Sequence, residues 1–111
     1  MDVFIGGRGS GKTISLLEYS SITRTPIVVY SEEQCTQLKN FAKSLCIDIP
    51  EPVSFHSYPN KSKGNDNFRN GVLIENVDLL LKSIFGKVNA VTVDSSSIKI
   101  HNMDNTGGTN E

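Results

Sequence analysis

The run Gly6-Gly7-Arg8-Gly9-Ser10-Gly11-Lys12-Thr13 matches the phosphate-cradling pattern G-x-x-x-x-G-K-[ST] in full. Glycines let the backbone curl until successive N–H groups point into one concavity, and a helix that starts where they end adds its N-terminal partial positive charge to the same spot. Such a site prefers a triphosphate to any neutral ligand. Lys12 is then a mobile point charge for the β- and γ-phosphates, and the Thr13 hydroxyl is a hard oxygen ligand for Mg²⁺. The flanks fit strand, turn and helix start: Val3, Phe4 and Ile5 are apolar before the run, and Ile14, Leu16 and Leu17 follow at helix-compatible spacing. Gly6, Gly7, Arg8, Gly9, Ser10, Gly11, Lys12 and Thr13 are therefore the expected ligand-binding residues, with ATP or another nucleoside triphosphate and Mg²⁺ as cofactors. The bland alternative is a glycine-rich turn with Lys12 merely solvated; the full pattern and its context weigh against it.

A P-loop that hydrolyses its nucleotide also needs a carboxylate at the end of a neighbouring buried strand, to hold the metal, and a group that orients the attacking water. Val72-Leu73-Ile74-Glu75 supplies the first, with Glu75 one methylene longer than the aspartate more usual there. Asn76 is a candidate for the second, since an amide can orient a water although it cannot accept its proton. Asp78 is a fallback carboxylate that reads first as the N-cap of a helix through Leu79-Leu80-Leu81. Thr92 and Asp94 share one face of a further strand by two-residue alternation, so one of them could sense the γ-phosphate, or both could simply end the strand in solvent. The catalytic candidates are Glu75, Asn76 and Thr92, and the metal candidates are Thr13 and Glu75.

The elements that must position these groups are legible as alternating patterns. Helix follows the glycine run over residues 11–22, and Arg24-Thr25-Pro26 breaks it. Ile27-Val28-Val29-Tyr30 is a short β-branched run suited to a strand buried on both faces. Ser31, with Gln34 at capping-box spacing, starts an amphipathic helix whose Cys35, Leu38, Phe41, Ala42, Leu45 and Cys46 recur at three- and four-residue steps. Pro50 and Pro52 end that unit. Shorter strands follow at 53–56, 72–74 and 90–94, with a helix over 79–85 and one long polar loop over 58–70. Strand and helix alternate at crossover-length spacing, which predicts an α/β fold of the three-layer P-loop kind. Its mostly parallel five-stranded sheet would carry helices on both faces, with the ligand crevice at the carboxyl ends of the strands.

With 111 residues the chain reads as one domain over 1–100, followed by a small, polar, Gly-containing tail over 101–111 that is expected to be disordered. A net charge of −1 gives no global attraction to nucleic acid or anionic lipid. Only Lys61, Lys63 and Arg69, opposed by Asp66, make a locally basic loop; it could touch a nucleic-acid backbone but reads first as a solvated loop. Cys35 and Cys46 lie roughly 16 Å apart if both sit on one helix at 1.5 Å per residue, too far for a disulfide. They read as reduced core residues, which with the lack of an apolar span or leader points to a cytoplasmic protein without a membrane anchor. His56 and His101 have no metal-ligand spacing.

Residues 5–13, the Ile49-Pro50 break and the stretch from Gly71 to Leu81 together resemble small P-loop proteins encoded by phages and prophages of Gram-positive bacteria, generally described as ATPases. A weaker similarity is to the first lobe of helicases and phage terminase large subunits, where the order of P-loop, strand, helix, short strand and acidic strand is the same. The second lobe has no counterpart here, and with it goes the arginine such motors contribute across the cleft. The resemblance implies a minimal ATP·Mg²⁺-binding NTPase, slow alone and acting in phage DNA metabolism or packaging, with a homo-oligomer or protein partner completing the site and Arg8 a candidate to reach a neighbour's nucleotide. Two rival readings stand beside it: a nucleotide-gated binding module without enzymatic activity, and a small nucleotide kinase.

Overall fold

The computed structural model describes residues 1–105. Strand β1 (Asp2–Ile5) runs into the glycine run and helix α1 (Lys12–Thr23). Strand β2 (Ile27–Val29), helix α2 (Glu32–Ser44) and strand β3 (Val53–Ser54) follow, then the single helical turn α3 (Tyr58–Lys61), strand β4 (Leu73–Ile74), helix α4 (Val77–Phe85) and strand β5 (Lys99–Asn102). The protein is a mixed α/β structure in which every strand pair is parallel.

The strands form two small sheets, one of order β3-β2-β4 and one of order β1-β5, and not the single five-stranded sheet expected. β2 is wholly buried because it sits in the middle of its sheet, with Val28 opposite both Val53 and Ile74. The ladder carries on past β4, where the Glu75 N–H donates to the Val28 carbonyl at 3.1 Å and so fixes the backbone of the acidic residue. The core is one cluster: Leu16 and Leu17 of α1, Ile27 and Val29 of β2, and Cys35, Leu38 and Ala42 of α2, with Phe4 and Leu73 packed against it. Phe4 and Leu73 thus tie both sheets to one core, although no ladder bonds run between β1 and β4.

Caps explain where the helices begin and end. The Ser31 hydroxyl accepts the Gln34 N–H at 3.2 Å, the expected cap of α2. The Ser54 and Ser57 hydroxyls donate to the Glu32 carboxylate at 2.6 and 2.8 Å, tying the first turn of α2 to β3 and holding that carboxyl below its ordinary range. At the far end of α1 the buried Ser20 hydroxyl donates to the Thr25 carbonyl at 2.7 Å, and Arg24 turns the chain in a left-handed conformation. Cys35 is in the core as expected, whereas Cys46 is exposed beyond the end of α2 with φ of 58°, so it is not a core residue. The 58–70 segment is less irregular than expected, holding α3 and a 3₁₀ turn, Asp66–Phe68, with Tyr58 and Phe68 edge to face at 5.5 Å.

The fifth strand is the main departure from expectation. Residues 90–94 form no strand and are exposed, with Val91 and Val93 about two-thirds accessible. Asp94 captures the chain locally: its carboxylate accepts the Ser96 N–H and hydroxyl at 3.0 and 2.7 Å, capping a 3₁₀ turn over Ser95–Ser97. Such side-chain-to-backbone bonds compete with a strand ladder. The strand that pairs with β1 instead lies over Lys99–Asn102, reaching into the stretch expected to be a disordered tail. Its anchor is a side-chain cluster: His101 stacks on Phe4 at 4.6 Å and its Nε2 donates to Asp2 at 3.0 Å, while the Tyr19 hydroxyl of α1 donates to the same carboxylate at 3.3 Å. The His101 hydrogen bond holds the Asp2 carboxyl below its ordinary range. The rest of the expected tail, residues 106–111, lies outside the described residues.

The burial pattern separates a real core position from an apparent one. Leu17→Ala, at a fully buried site, is expected to cost about 3 kcal/mol, and Val91→Ala, in the segment that forms no strand, to stay within about 0.5 kcal/mol. Urea denaturation midpoints check both; a Val91→Ala loss comparable to that of Leu17→Ala would mean that residues 90–94 are packed as a strand.

Candidate functional site

The turn from β1 into α1 is closed by the Ser10 N–H, which donates to the Gly7 carbonyl at 3.2 Å. Gly9 and Gly11 have φ of 79° and 88°, the left-handed region that side chains other than glycine rarely occupy. Gly6 is required for a different reason: a Cβ there would stand 2.5 Å from the Ser10 hydroxyl oxygen and 3.0 Å from the Met103 Cβ. Gly11 is the N-cap of α1 and has no side chain to accept the first helical N–H groups, so those donors face the open side of the loop.

What surrounds the loop differs on its two flanks. On one, the Gly7 N–H donates to both carboxylate oxygens of Asp104 at 3.0 Å, pinning the loop to the 3₁₀ turn Met103–Asn105 that follows β5. On the other, the Thr13 hydroxyl donates to the Glu75 carboxylate at 2.7 Å, joining the start of α1 to the end of β4. Lys12 arches back over the loop, its Nζ donating to the Gly7 carbonyl at 3.2 Å.

A cavity of about 430 Å³ opens on the Glu75 flank. The backbone from Gly9 to Ile14 forms one wall, Glu75 another, and Gln34, Gln37, Leu38 and Phe41 of α2 a third. Lys12 is the one cation among the described residues that line it, and Glu75 the one anion. The four α2 residues follow i, i+3, i+4, i+7 spacing and so share one helix face.

The sequence-expected site residues fall into two groups. Gly9, Ser10, Gly11, Lys12, Thr13 and Glu75 meet at the cavity, with Gly6 and Gly7 behind it in the same loop. Arg8 is exposed and does not line it. Asn76 is the residue before α4, in a left-handed conformation with φ of 57° and no capping bond from its side chain, and lies outside the cavity lining. Asp78 sits within the first turn of α4 and is not its cap. Thr92 is in exposed coil, and Asp94 is spent on its own turn, so neither stands at a strand end beside the loop. Arg69 of the basic loop pairs with Asp66 at 2.9 Å in a fully solvated setting. Among the described residues no three His, Cys, Asp or Glu side chains converge as a ready-made metal site.

Gln34, Gln37, Phe41 and Asp104 are the site neighbours that sequence reasoning missed. A signal for the first three was present, since they adjoin the core stripe Cys35, Leu38, Ala42 on a helix that must lie against β2. Asp104 had none, because its role depends on which strand pairs with β1.

Gly6→Ala tests the geometry of the loop. The added methyl must displace Ser10 or the Met103 turn, so the Gly7–Asp104 contact is expected to break, with a stability loss of about 1–3 kcal/mol. Amide chemical shifts of Gly7 and Asp104 report it; unmoved shifts in a variant of unchanged stability would contradict this packing.

No helix among the described residues is long and apolar enough to cross a membrane. No protein-family model, no curated protein and no solved structure matches the chain, so the bearing on function comes from the residues and distances above.

Proposed function

We propose that this chain is a minimal P-loop protein that binds a nucleoside triphosphate, ATP in the first instance, with Mg²⁺, and hydrolyses it slowly when alone. The observation that carries the reading is the 2.7 Å contact between Thr13 and Glu75 beside an uncapped helix start. Two residues 62 positions apart in sequence, each expected to hold the metal, are in direct contact at the mouth of the loop expected to hold phosphate.

The residues fit the absent groups. Mg²⁺ binds through one or two hard protein oxygens and takes the rest of its shell from phosphates and water, so a hydroxyl and a single carboxylate are a sufficient donor set without a cluster of acids. When bound, the metal would neutralise charge developing on the β- and γ-phosphates. The backbone N–H groups of Gly9, Gly11, Lys12 and Thr13 and the α1 dipole bind phosphate oxygens, and Lys12 exchanges its weak contact with the Gly7 carbonyl for a charged partner.

The proposal extends to the fold. The β5-β1 and β4-β2-β3 sheets are read as two parts of one P-loop-type sheet, interrupted between β1 and β4. All pairs are parallel, and Phe4 and Leu73 share a core cluster, which supports that reading. The resemblance to phage-encoded proteins favours a setting in phage DNA metabolism or packaging, in the host cytoplasm.

A second reading, a nucleotide-gated binding module, is favoured by a separate observation. α4 buries no side chain fully and leaves Val77, Ile84 and Phe85 at least half exposed, an apolar face suited to a protein partner. The kinase reading fits less well, because an anionic acceptor would find no cation in the cavity beyond the Lys12 that the triphosphate engages.

Lys12→Ala is expected to weaken ATP·Mg²⁺ binding about 10²-fold by calorimetry while leaving the fold intact, as the lost charged contact is worth about 1.5–3 kcal/mol. Unchanged affinity in a folded variant would sink the proposal. Glu75→Gln keeps an acceptor for the Thr13 hydroxyl but removes the charge, so the Mg²⁺ dependence of binding should weaken. Asp78→Asn should leave it untouched and cost only about 0.3–1 kcal/mol of stability through the α4 dipole. Reversed phenotypes would make Asp78 the metal carboxylate.

A further inference from the structure

We infer that Gln34 of α2 is the residue that orients the attacking water, in the place that Asn76 and Thr92 were expected to fill; the inference rests on the ATP-hydrolysing reading of the cavity. Hydrolysis needs a group that orients the attacking water toward the γ-phosphate. Neither Asn76 nor Thr92 lines the cavity, whereas Gln34 and Gln37 do, together with Glu75 and Thr13. Thr13 and Glu75 would hold the metal that neutralises charge on the β- and γ-phosphates, so this side of the cavity would face the γ-phosphate.

The hydrogen bonds around Gln34 fix its role. Its Nε2 donates to the Gln37 side-chain Oε1 at 3.1 Å, and the Gln37 Nε2 donates in turn toward the Glu33 carboxylate at 3.5 Å. The relay runs one way and ends on an ion that can only accept, so the Gln34 amide nitrogen is held toward Gln37 and its carbonyl oxygen is the atom left for a water hydrogen. The backbone of Gln34 is independently anchored, its N–H bound by the Ser31 cap. Leu38 of the core and Phe41 complete the wall around this amide. The neutral wall also selects the nucleophile, since it offers no charge to hold an anionic acceptor.

The step balances without a further reactant. The water oxygen bonds to the γ-phosphorus as the bond from that phosphorus to the β–γ bridging oxygen breaks, and the electron pair of the broken bond leaves on ADP. One water proton stays on the product phosphate and the other passes to solvent water. Gln34 accepts a hydrogen bond and takes no proton, which accounts for a slow rate. Gln37 touches no reacting atom and is a positioning residue that acts through Gln34.

The experiment is single-turnover hydrolysis of saturating ATP·Mg²⁺ by the full chain, with calorimetric affinity measured on the same samples. Gln34→Ala is expected to lower the rate about 10²-fold, in line with the cost of a misplaced nucleophile, with Kd for ATP·Mg²⁺ within twofold of wild type. Gln37→Ala should lower the rate less, and Gln37→Glu, which restores an acceptor for the Gln34 amide, should recover part of the loss. Asn76→Gly, which keeps the left-handed backbone, should leave rate and affinity unchanged. A folded Gln34→Ala protein that binds and hydrolyses like wild type would overturn the assignment, as would wild-type protein that binds ATP·Mg²⁺ tightly and never turns it over. Loss of binding in Lys12→Ala alongside an unaltered rate in Gln34→Ala would retain the P-loop reading and reject this one; absence of ATP binding by wild type would reject both.

Discussion

The first N–H groups of α1 have no side chain to cap them, and the rest of the structure is arranged around that fact. A serine or aspartate at the position of Gly11 would satisfy one of those donors internally, as Ser31 does for α2. Gly11 instead leaves them open and, with φ of 88°, delivers the chain into the helix by a route that a side chain would strain. An uncapped helix start is a liability unless the helix is held by other means. Here Leu16, Leu17 and Ser20 are all buried one and two turns further on, and they hold α1 by its middle and far end while its start remains available.

Two carboxylates of the chain itself meet the loop. Asp104 places a carboxylate on the Gly7 N–H, and Glu75 receives the Thr13 hydroxyl on the opposite flank. Two elements remote in sequence, the turn after β5 and the end of β4, are thereby brought to the same loop through oxygen atoms. Lys12 is the only group of opposite sign at the cavity among the described residues, and its contact is with a neutral carbonyl. Among the described residues no carboxylate lies within salt-bridge reach of its ammonium group.

Residues whose roles are local were legible in the sequence. The glycine run, the Ser31 cap, the buried β2 run and the acid after Leu73-Ile74 each declare themselves by spacing within a few positions, and each lies where that spacing indicates. What was not legible depends on choice of partner. Residues 90–94 have the β-branched composition of a strand, but Asp94-Ser95-Ser96 offers its backbone a closed set of bonds within the turn. Lys99–Asn102 has weak strand character of its own and gains its place from Phe4 and Asp2, a hundred positions away, through His101. Asp104 follows from the same choice. The α2 wall falls between these cases: its periodicity was visible, yet which face meets the loop depends on how the helix lies on β2.

Burial is uneven, and this decides how the site is coupled to the rest of the molecule. The cluster of α1, β2 and α2 holds nearly all the fully buried apolar side chains, so the loop and the Gln34 wall stand on the best-packed part of the chain. α4 and residues 86–94 bury no side chain fully. Between these parts, Glu75 lies directly before the Asn76 turn into α4, and Asp104 directly after β5. Both meet the loop by polar contacts, unlike the apolar contacts of the core. Thr13 and Gly7 thus join the loop, through two oxygen contacts, to the less buried half of the chain, while the loop itself stands on the close-packed core.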